Sequence, residues 1–268
     1  MINSQQPPSS QPVPSPAVAV RSQTKAPVIK YRGTKHTAVV KEVFDVARKY
    51  PETYLIRFTF ENEPRVFDFH PGQFISLFAE KDGKSISRPY SIASPPHNKE
   101  YLELAIKVVE GGFMSNYLHR VPVGTKLRSI APLGGFILLE PVESPIAFIA
   151  TGTGVAPFRG MVEHILQHGT DQEIYLFHGV RYVEDIIYRE EFERLAARNP
   201  NFHYELTVSR PDETWKGEKG YVQRLVKDRI GDGRGKHAYI CGLATMIEEN
   251  TKLCKEMGFD FVRFEKWD

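Results

Sequence analysis

Short runs of alternating hydrophobic and polar residues, separated by turn-forming residues, repeat through the first half of the chain. This rhythm is typical of an antiparallel barrel or sandwich, because alternate side chains of a strand face the core and the solvent. A glycine pair, Gly111-Gly112, then introduces a short helical segment over residues 114–119. The predicted strands span residues 37–43, 53–60, 73–79, 88–92, 101–108 and 126–130.

From Pro145 onward the rhythm changes to apolar strands that alternate with helical patterns. Such strand-helix units predict a parallel α/β sheet. The strand and helix pairs are 146–150 with 158–166, 173–179 with 184–197, 202–208 with 222–230, and 238–241 with 247–257. We therefore predict two domains, an antiparallel β-barrel over residues 35–143 and an α/β domain with a parallel sheet over residues 144–268.

The first residues form a third region, in which five prolines between residues 7 and 16 lie among Ser, Gln and Ala. This composition cannot bury enough apolar surface to fold alone, which predicts a disordered, Pro/Ser-rich tail over residues 1–34. Residues 1–41 hold six Lys or Arg and no Asp or Glu, so the net charge of +2 for the whole chain leaves −4 on residues 42–268. The tail suits a linker, an organelle import signal or a basic arm that attracts an acidic partner protein.

Composition narrows the class of protein. No apolar run approaches the ~20 residues of a membrane span, and the N-terminus lacks the apolar block of a secretory signal. We expect a soluble, cytoplasmic protein, with organelle import through the tail as the alternative, no nucleic-acid partner, and a monomer or weak oligomer. Two cysteines, Cys241 and Cys254, cannot build a four-cysteine iron–sulfur or zinc site, so any redox cofactor must be organic.

Residues 149–161 combine the end of a buried strand, the turn Gly152-Thr153-Gly154, and a helical pattern with Pro157 near its start. Free backbone N–H groups and the positive end of the helix converge there, which predicts an anion-binding turn. Pro157 stands where the usual dinucleotide fingerprint has a third glycine, so an ordinary strand-to-helix turn is the alternative. The position in the first strand-helix connection of the second domain favours phosphate binding.

The barrel segment Arg88-Pro89-Tyr90-Ser91 suits a planar cofactor that carries phosphate. Its proline fixes an extended backbone, so Arg88 and Tyr90 project to one side and Ser91 to the other. A guanidinium suits the phosphate, an aromatic face can cover a ring, and a hydroxyl can bind a polar ring edge. An edge strand with an exposed arginine is the alternative.

The segment from Val109 to Leu118 puts a glycine pair and Ser115 at the start of a helix. Free N–H groups at that position could hold a second phosphate of the same cofactor. Serine is also a common residue at a helix start, so an ordinary capped helix is the alternative.

These three segments, in the order 88–91, 109–118 and 149–161 along the chain, resemble the ferredoxin–NADP reductase family of flavoproteins over residues 36–268. The resemblance extends to residues 239–243, Tyr-Ile-Cys-Gly-Leu, and to residues 264–267, Phe-Glu-Lys-Trp, which look like the family's closing acidic-x-aromatic signature. Plant-type members end on the aromatic residue, whereas Asp268 follows Trp267 here. The resemblance implies that the barrel domain binds FAD and that the α/β domain binds a nicotinamide dinucleotide.

Carried over by motif, the resemblance assigns three residues to the reacting centre. Ser91 would lie near the reactive edge of the flavin, Cys241 beside the nicotinamide, and Glu265 near the flavin, where it can stabilise or relay a proton. Trp267 would stack on the flavin face. The other implied FAD-binding residues are Arg88, Tyr90, Lys107, Val109, Gly112, Met114 and Ser115. The implied dinucleotide-binding residues are Gly152, Thr153, Gly154, Pro157 and Gly242.

The choice between NADPH and NADH depends on residues 209–223. Two cations and two hydroxyl-bearing side chains resemble the plant-type set that clasps the 2′-phosphate, namely Ser209, Arg210, Lys219 and Tyr221. Trp215, with the Gly-x-x-Gly-x-Val that follows, also resembles NADH-using relatives. We favour NADPH, because a site for plain ribose has little use for two cations.

The resemblance implies hydride transfer between NADPH and FAD, coupled to one-electron transfer with a ferredoxin or flavodoxin. The alternatives are an NADH-dependent reductase that feeds an oxygenase, and a flavin-containing electron-transfer subunit of a larger complex. His164 and His168 lie four residues apart on a predicted helix, but no third ligand is in view, so we expect no metal site there.

Overall fold

The computed structural model describes residues 32–47 and 52–266 of the chain. The predicted tail, apart from its last three residues, lies outside the described residues, and so does Trp267. The first strand begins at Thr34, one residue before the predicted start of the barrel domain.

The N-terminal half forms a six-stranded antiparallel sheet in the order β4-β3-β6-β1-β2-β5. The sheet curls so far that its edge strands approach each other. The N–H of Ala93, just after β4, donates to the carbonyl of Glu103 in β5 at 2.8 Å. This half-barrel confirms the predicted antiparallel architecture. Its strands are β1 (Thr34–Ala47), β2 (Thr53–Phe60), β3 (Phe74–Lys81), β4 (Lys84–Ser91), β5 (Leu102–Lys107) and β6 (Lys126–Leu133).

Alternating side chains fill the interior of the half-barrel, as a period of two requires. Tyr54, Ile56 and Phe58 of β2 are fully buried in it. One end is covered by α1 (Phe113–Arg120), and the hydroxyl of Tyr54 donates to the carbonyl of Ser115 in that helix at 2.8 Å. The helix that starts at the glycine pair is therefore fixed to the barrel core.

The C-terminal half forms a six-stranded parallel sheet in the order β10-β9-β8-β7-β11-β12, with helices on both faces. All of β7 from Ile146 to Ala150 is buried, as is usual for a strand covered on both faces. This sheet confirms the predicted parallel α/β architecture. Its strands are β7 (Ile146–Thr151), β8 (Ile174–Val180), β9 (Phe202–Val208), β10 (Glu218–Lys219), β11 (His237–Gly242) and β12 (Phe261–Lys266). Its helices are α2 (Ala156–His168), α3 (Arg189–Arg198), α4 (Val222–Ile230) and α5 (Ala244–Glu256).

Helix α3 and strand β12 are among the elements that differ from the sequence prediction. Helix α3 begins at Arg189 rather than at residue 184, because residues 183–185 form a separate 3-10 turn and Tyr188 adopts a left-handed conformation, with φ 59°. Strand β12 was not predicted, since its charged and half-exposed residues lack the continuous apolar run that marks the inner strands. Among the described residues, no helix is long and apolar enough to cross a membrane.

A buried cluster of charges joins the two sheets. Arg159 of α2 is 8% exposed, and its Nε donates to Glu191 of α3 at 2.6 Å. Its Nη1 donates to the carbonyl of Ala93 at 3.1 Å and lies 3.5 Å from Glu103 Oε1. Glu103, which belongs to the barrel, also accepts from the Tyr188 hydroxyl at 3.0 Å. Arginine from one domain is thus held by acceptors from both.

Two further residues complete this charge cluster. Arg57 of β2 reaches Glu103 from the barrel side, with its Nε donating to Oε2 at 2.7 Å. Glu163, one turn after Arg159 in α2, lies 3.2 Å from the guanidinium, and burial raises the pKa of its carboxyl. A buried charge is tolerated only when it is paired and hydrogen-bonded, so this cluster constrains how the two sheets meet.

We expect Arg159→Met to lower the free energy of unfolding by about 3 kcal/mol, because the substitution keeps the side-chain stem and removes the charge that compensates the buried carboxylates. Urea unfolding followed by circular dichroism measures this change. The matched control is Arg194→Met on α3, whose exposed pair with Glu190 spans 3.7 Å and should contribute less than about 0.5 kcal/mol. Equal effects of the two substitutions would contradict this role of Arg159.

Candidate functional site

The carboxyl edge of the parallel sheet contains a crevice where ligands of α/β proteins usually bind. Strand β7 lies between β8 and β11, so the connections that leave β7 and β11 run to opposite sides of the sheet. Such a reversal opens a crevice outside the carboxyl ends of the strands. The predicted turn Gly152-Thr153-Gly154 follows β7 there, and Gly242 ends β11 beside it.

The glycine turn requires both of its glycines. Gly152 adopts φ 54°, a conformation that L side chains rarely take. A Cβ on Gly154 would lie 2.4 Å from the carbonyl oxygen of Cys241, so the two loops pack backbone against backbone. The turn is a single 3-10 turn that leads into α2, Pro157 lies in the first turn of that helix, and neither has a side-chain cap. Its N–H groups suit an anion.

The three residues predicted for the reacting centre converge where the two sheets meet. Ser91 ends β4, an edge strand of the half-barrel, and its hydroxyl lies close enough to Glu265 of β12, an edge strand of the parallel sheet, to lower the pKa of that carboxyl. We call this contact the seam. Cys241 pairs with Glu265 in the parallel register, although its thiol is fully buried in the core.

Glu265 has an unusual environment. Burial raises the pKa of its carboxyl to about 8, with the Ser91 hydroxyl opposing the shift. Its Oε2 is buried without a hydrogen-bond partner among residues 32–47 and 52–266. A carboxyl with this pKa holds a proton at neutral pH, and the unpartnered oxygen leaves it able to make one more hydrogen bond.

The remaining residues predicted to bind FAD lie on the barrel domain. Tyr90 packs against the barrel core, where burial raises the pKa of its phenol, while Arg88 is exposed. At the second predicted phosphate site, Gly112 precedes α1 without a side-chain cap. The Ser115 hydroxyl accepts from the N–H of Val109 at 3.0 Å, so it fixes the turn. The side chain of Met114 is buried, whereas Lys107 and Val109 are exposed.

The four residues predicted to clasp a 2′-phosphate lie at the same carboxyl edge. Ser209 and Arg210 directly follow β9, whose last residue pairs with Lys219 at the end of β10. Tyr221, the N-cap of α4, is 74% exposed. The N–H of Arg210 donates to the carbonyl of Arg181 at 2.8 Å, so that loop adds a third exposed cation. The structure thus brings the predicted set together.

Trp215 serves the fold of this edge. Its indole N–H donates to the carbonyl of Glu218 at 2.8 Å, and the ring is only 7% exposed. A Cβ on Gly217 would lie 2.5 Å from that ring, so the glycine leaves room for it. The Trp-x-Gly pattern has a packing role here whichever coenzyme binds.

Sequence reasoning missed two residues near the site. For Arg159 the sequence offered one signal of a buried ion pair, because Glu163 follows it one turn later on a largely apolar helix. His178 of β8 gave none, because a single histidine inside an apolar run resembles any core residue. Its Nε2 bonds the carbonyl of Gly152 at 3.2 Å and its Nδ1 bonds the Tyr204 hydroxyl at 3.2 Å.

The histidine pair on α2 takes part in local hydrogen bonds. His164 Nε2 lies 2.8 Å from Glu140 Oε1, and His168 Nδ1 bonds the carbonyl of His164 at 2.8 Å. Within the described part of the chain, no group of three His, Cys, Asp or Glu residues could hold a metal ion.

Comparison with known proteins supports this view of the two domains. Residues 40–137 match the family of oxidoreductase FAD-binding domains, and residues 148–252 match the family of oxidoreductase NAD-binding domains. A ferredoxin–NADP reductase B from Sorangium cellulosum is 38% identical over 76% of this chain and 87% of its own length. A toluate 1,2-dioxygenase electron transfer component from Pseudomonas putida is 32% identical, but the chain spans only 57% of its length.

A solved structure has the same arrangement of domains. The cytochrome P450 reductase from Amycolatopsis superposes with a TM-score of 0.78 at 28% identity, covering 86% of this chain and 69% of the reductase. Both domains match oxidoreductase families, and the Sorangium reductase is related over most of its length. The chain therefore belongs to the family of FAD- and NAD(P)-binding oxidoreductases that includes ferredoxin–NADP reductases.

Proposed function

We propose that this chain is an FAD-dependent oxidoreductase that transfers electrons between NADPH and a small carrier protein, a ferredoxin or a flavodoxin. The observation that carries the proposal is the contact of Ser91 with Glu265 between the two domains, with an uncapped helix start in each of them. The name of the Sorangium relative, a ferredoxin–NADP reductase, supports the choice of partner.

The residues present fit FAD. The uncapped start of α1 suits a pyrophosphate, Tyr90 offers a ring face, and Glu265 offers a buried carboxyl oxygen that lacks a partner among the described residues. When bound, FAD supplies the hydride acceptor and the conversion between two-electron and one-electron transfer. Ser91 lies beside the Glu265 carboxyl, whose pKa of about 8 keeps it protonated at neutral pH. Cys241 would support the nicotinamide through its backbone, because its thiol is buried.

The preference for NADPH rests on charge. Arg181, Arg210 and Lys219 are exposed at the carboxyl ends of three adjacent strands, where a dinucleotide with its pyrophosphate on the glycine turn would place its adenosine. A second candidate, an NADH-dependent reductase of an oxygenase, is favoured by the Pseudomonas relative, a dioxygenase electron transfer component. Coenzyme kinetics separate the two.

We expect Arg210→Ala to lower kcat/KM for NADPH by about 10- to 100-fold, since hydrogen bonds between charged groups contribute about 1.5–3 kcal/mol. Activity with NADH should change less than about twofold. Steady-state dye reduction measures both values. The matched control is Arg234→Ala, an exposed arginine in the connection before β11, at the opposite edge of the sheet. A preference for NADPH that survives Arg210→Ala unchanged would contradict the proposed clasp.

The carrier is tested by reconstitution. Purified protein should be yellow, and NADPH should reduce cytochrome c faster when a ferredoxin or a flavodoxin is added than when neither is present. A colourless protein that cannot be reconstituted with FAD would refute the proposed function. Turnover that needs NADH and responds to no added carrier would favour the oxygenase reductase.

Glu265→Gln should flatten the pH dependence of stability. The pKa of the carboxyl is about 8 in the folded protein and 4.5 ordinarily, so between these values the folded state keeps a proton that the unfolded chain has lost. The free energy of unfolding therefore falls as pH rises through this window, by at most about 1.4 kcal/mol per pH unit. Urea unfolding of flavin-free protein at pH 5 to 8 measures the slope. The exposed Glu248→Gln is the control, and a slope unaltered by Glu265→Gln would disprove the buried proton.

A further inference from the structure

A fully buried histidine lies directly beneath the glycine turn. His178 sits near the carboxyl end of β8, between Ala150 of β7 and Leu206 of β9, and is 0% exposed. Burial of a polar ring is unfavourable unless its nitrogens are hydrogen-bonded. Both are bonded here, and one of the partners is the turn itself.

The hydrogen bonds of His178 define one tautomer. Nε2 lies 3.2 Å from the carbonyl oxygen of Gly152, which can only accept, so Nε2 must carry the hydrogen. Nδ1 then has a free lone pair and accepts from the Tyr204 hydroxyl at 3.2 Å. Burial lowers the pKa of the ring to about 4, which keeps it neutral and in this tautomer at physiological pH.

The bond to Gly152 orients the next peptide group. The C=O and N–H of a trans peptide point in opposite directions, so a carbonyl held toward His178 turns the N–H of Thr153 away from the core. Gly152 permits this orientation with its φ of 54°, and the position of a Cβ on Gly152 has no atom within 4 Å. The N–H of Thr153 therefore points away from His178, and Thr153 itself is only partly buried.

We propose that His178, supported by Tyr204, is a positioning residue that holds the Thr153 N–H toward the pyrophosphate of the coenzyme. The inference rests on the proposed function, because it takes the glycine turn as the dinucleotide site. His178 touches no reacting atom, so it affects coenzyme binding rather than the chemical step. NADPH and NADH share the pyrophosphate, so the contribution is the same for both.

The test compares His178→Leu, His178→Gln and Tyr204→Phe in the flavin-loaded full chain. His178→Leu should raise KM for NADPH and for NADH by the same factor, about tenfold, while kcat changes less than about twofold. His178→Gln retains an N–H donor at a similar reach and should restore KM to within about threefold of the parent. Tyr204→Phe keeps the ring that packs on Phe192 and should raise KM by about threefold.

A binding measurement separates this inference from the proposed function. Calorimetry with ADP-ribose, which contains the pyrophosphate, should show weaker binding to His178→Leu, whereas 2′-AMP, which lacks it, should bind unchanged. This readout needs no turnover and no electron carrier. Unchanged affinity for ADP-ribose, a loss confined to kcat, or a loss for only one coenzyme would overturn the role of His178. If His178→Leu does not fold, wild-type values of KM in Tyr204→Phe would overturn it.

Discussion

The arrangement of the proposed reacting groups depends on one buried guanidinium, that of Arg159. The residue lies in the first turns of the helix that starts at the glycine turn, so its position along the chain is tied to the proposed pyrophosphate site. Its hydrogen bond to the carbonyl of Ala93 holds the backbone two residues after Ser91. One helix thus links the turn proposed to bind an anion to the strand end that lies beside Glu265.

The charge balance around Arg159 explains why so many ionisable groups can be buried together. Two guanidiniums, those of Arg57 and Arg159, face the carboxyl groups of Glu103, Glu163 and Glu191. Burial raises the pKa of Glu163, and a proton on that group leaves two positive charges against two negative ones. Around Arg159 and Glu103, fixed hydrogen-bond partners take the place of water, which makes the geometry specific as well as stable.

The sequence was informative where periodicity or a local motif reports on structure. The bounds of β2, β9 and α4 follow from alternation and helical spacing, and the glycine turn falls where the first strand-helix connection predicts it. A pattern along one strand says which face a residue takes but not which residue of another domain lies opposite. For that reason the sequence pattern could not predict the contacts of Ser91 with Glu265 and of Arg159 with Glu103. His178 was missed because burial and hydrogen bonding in the fold, not its neighbours in sequence, define its role.

The seam also bears on self-association. Strands β4 and β12 are edge strands of their sheets, and a free strand edge presents unpaired N–H and C=O groups that can pair with another chain. Ser91 and Glu265 bring the end of one edge against the other within a single molecule. If the domains separated, the ends of two edge strands would become accessible at once, so loss of the charges at the domain interface would favour aggregation as well as misplace the proposed reacting groups.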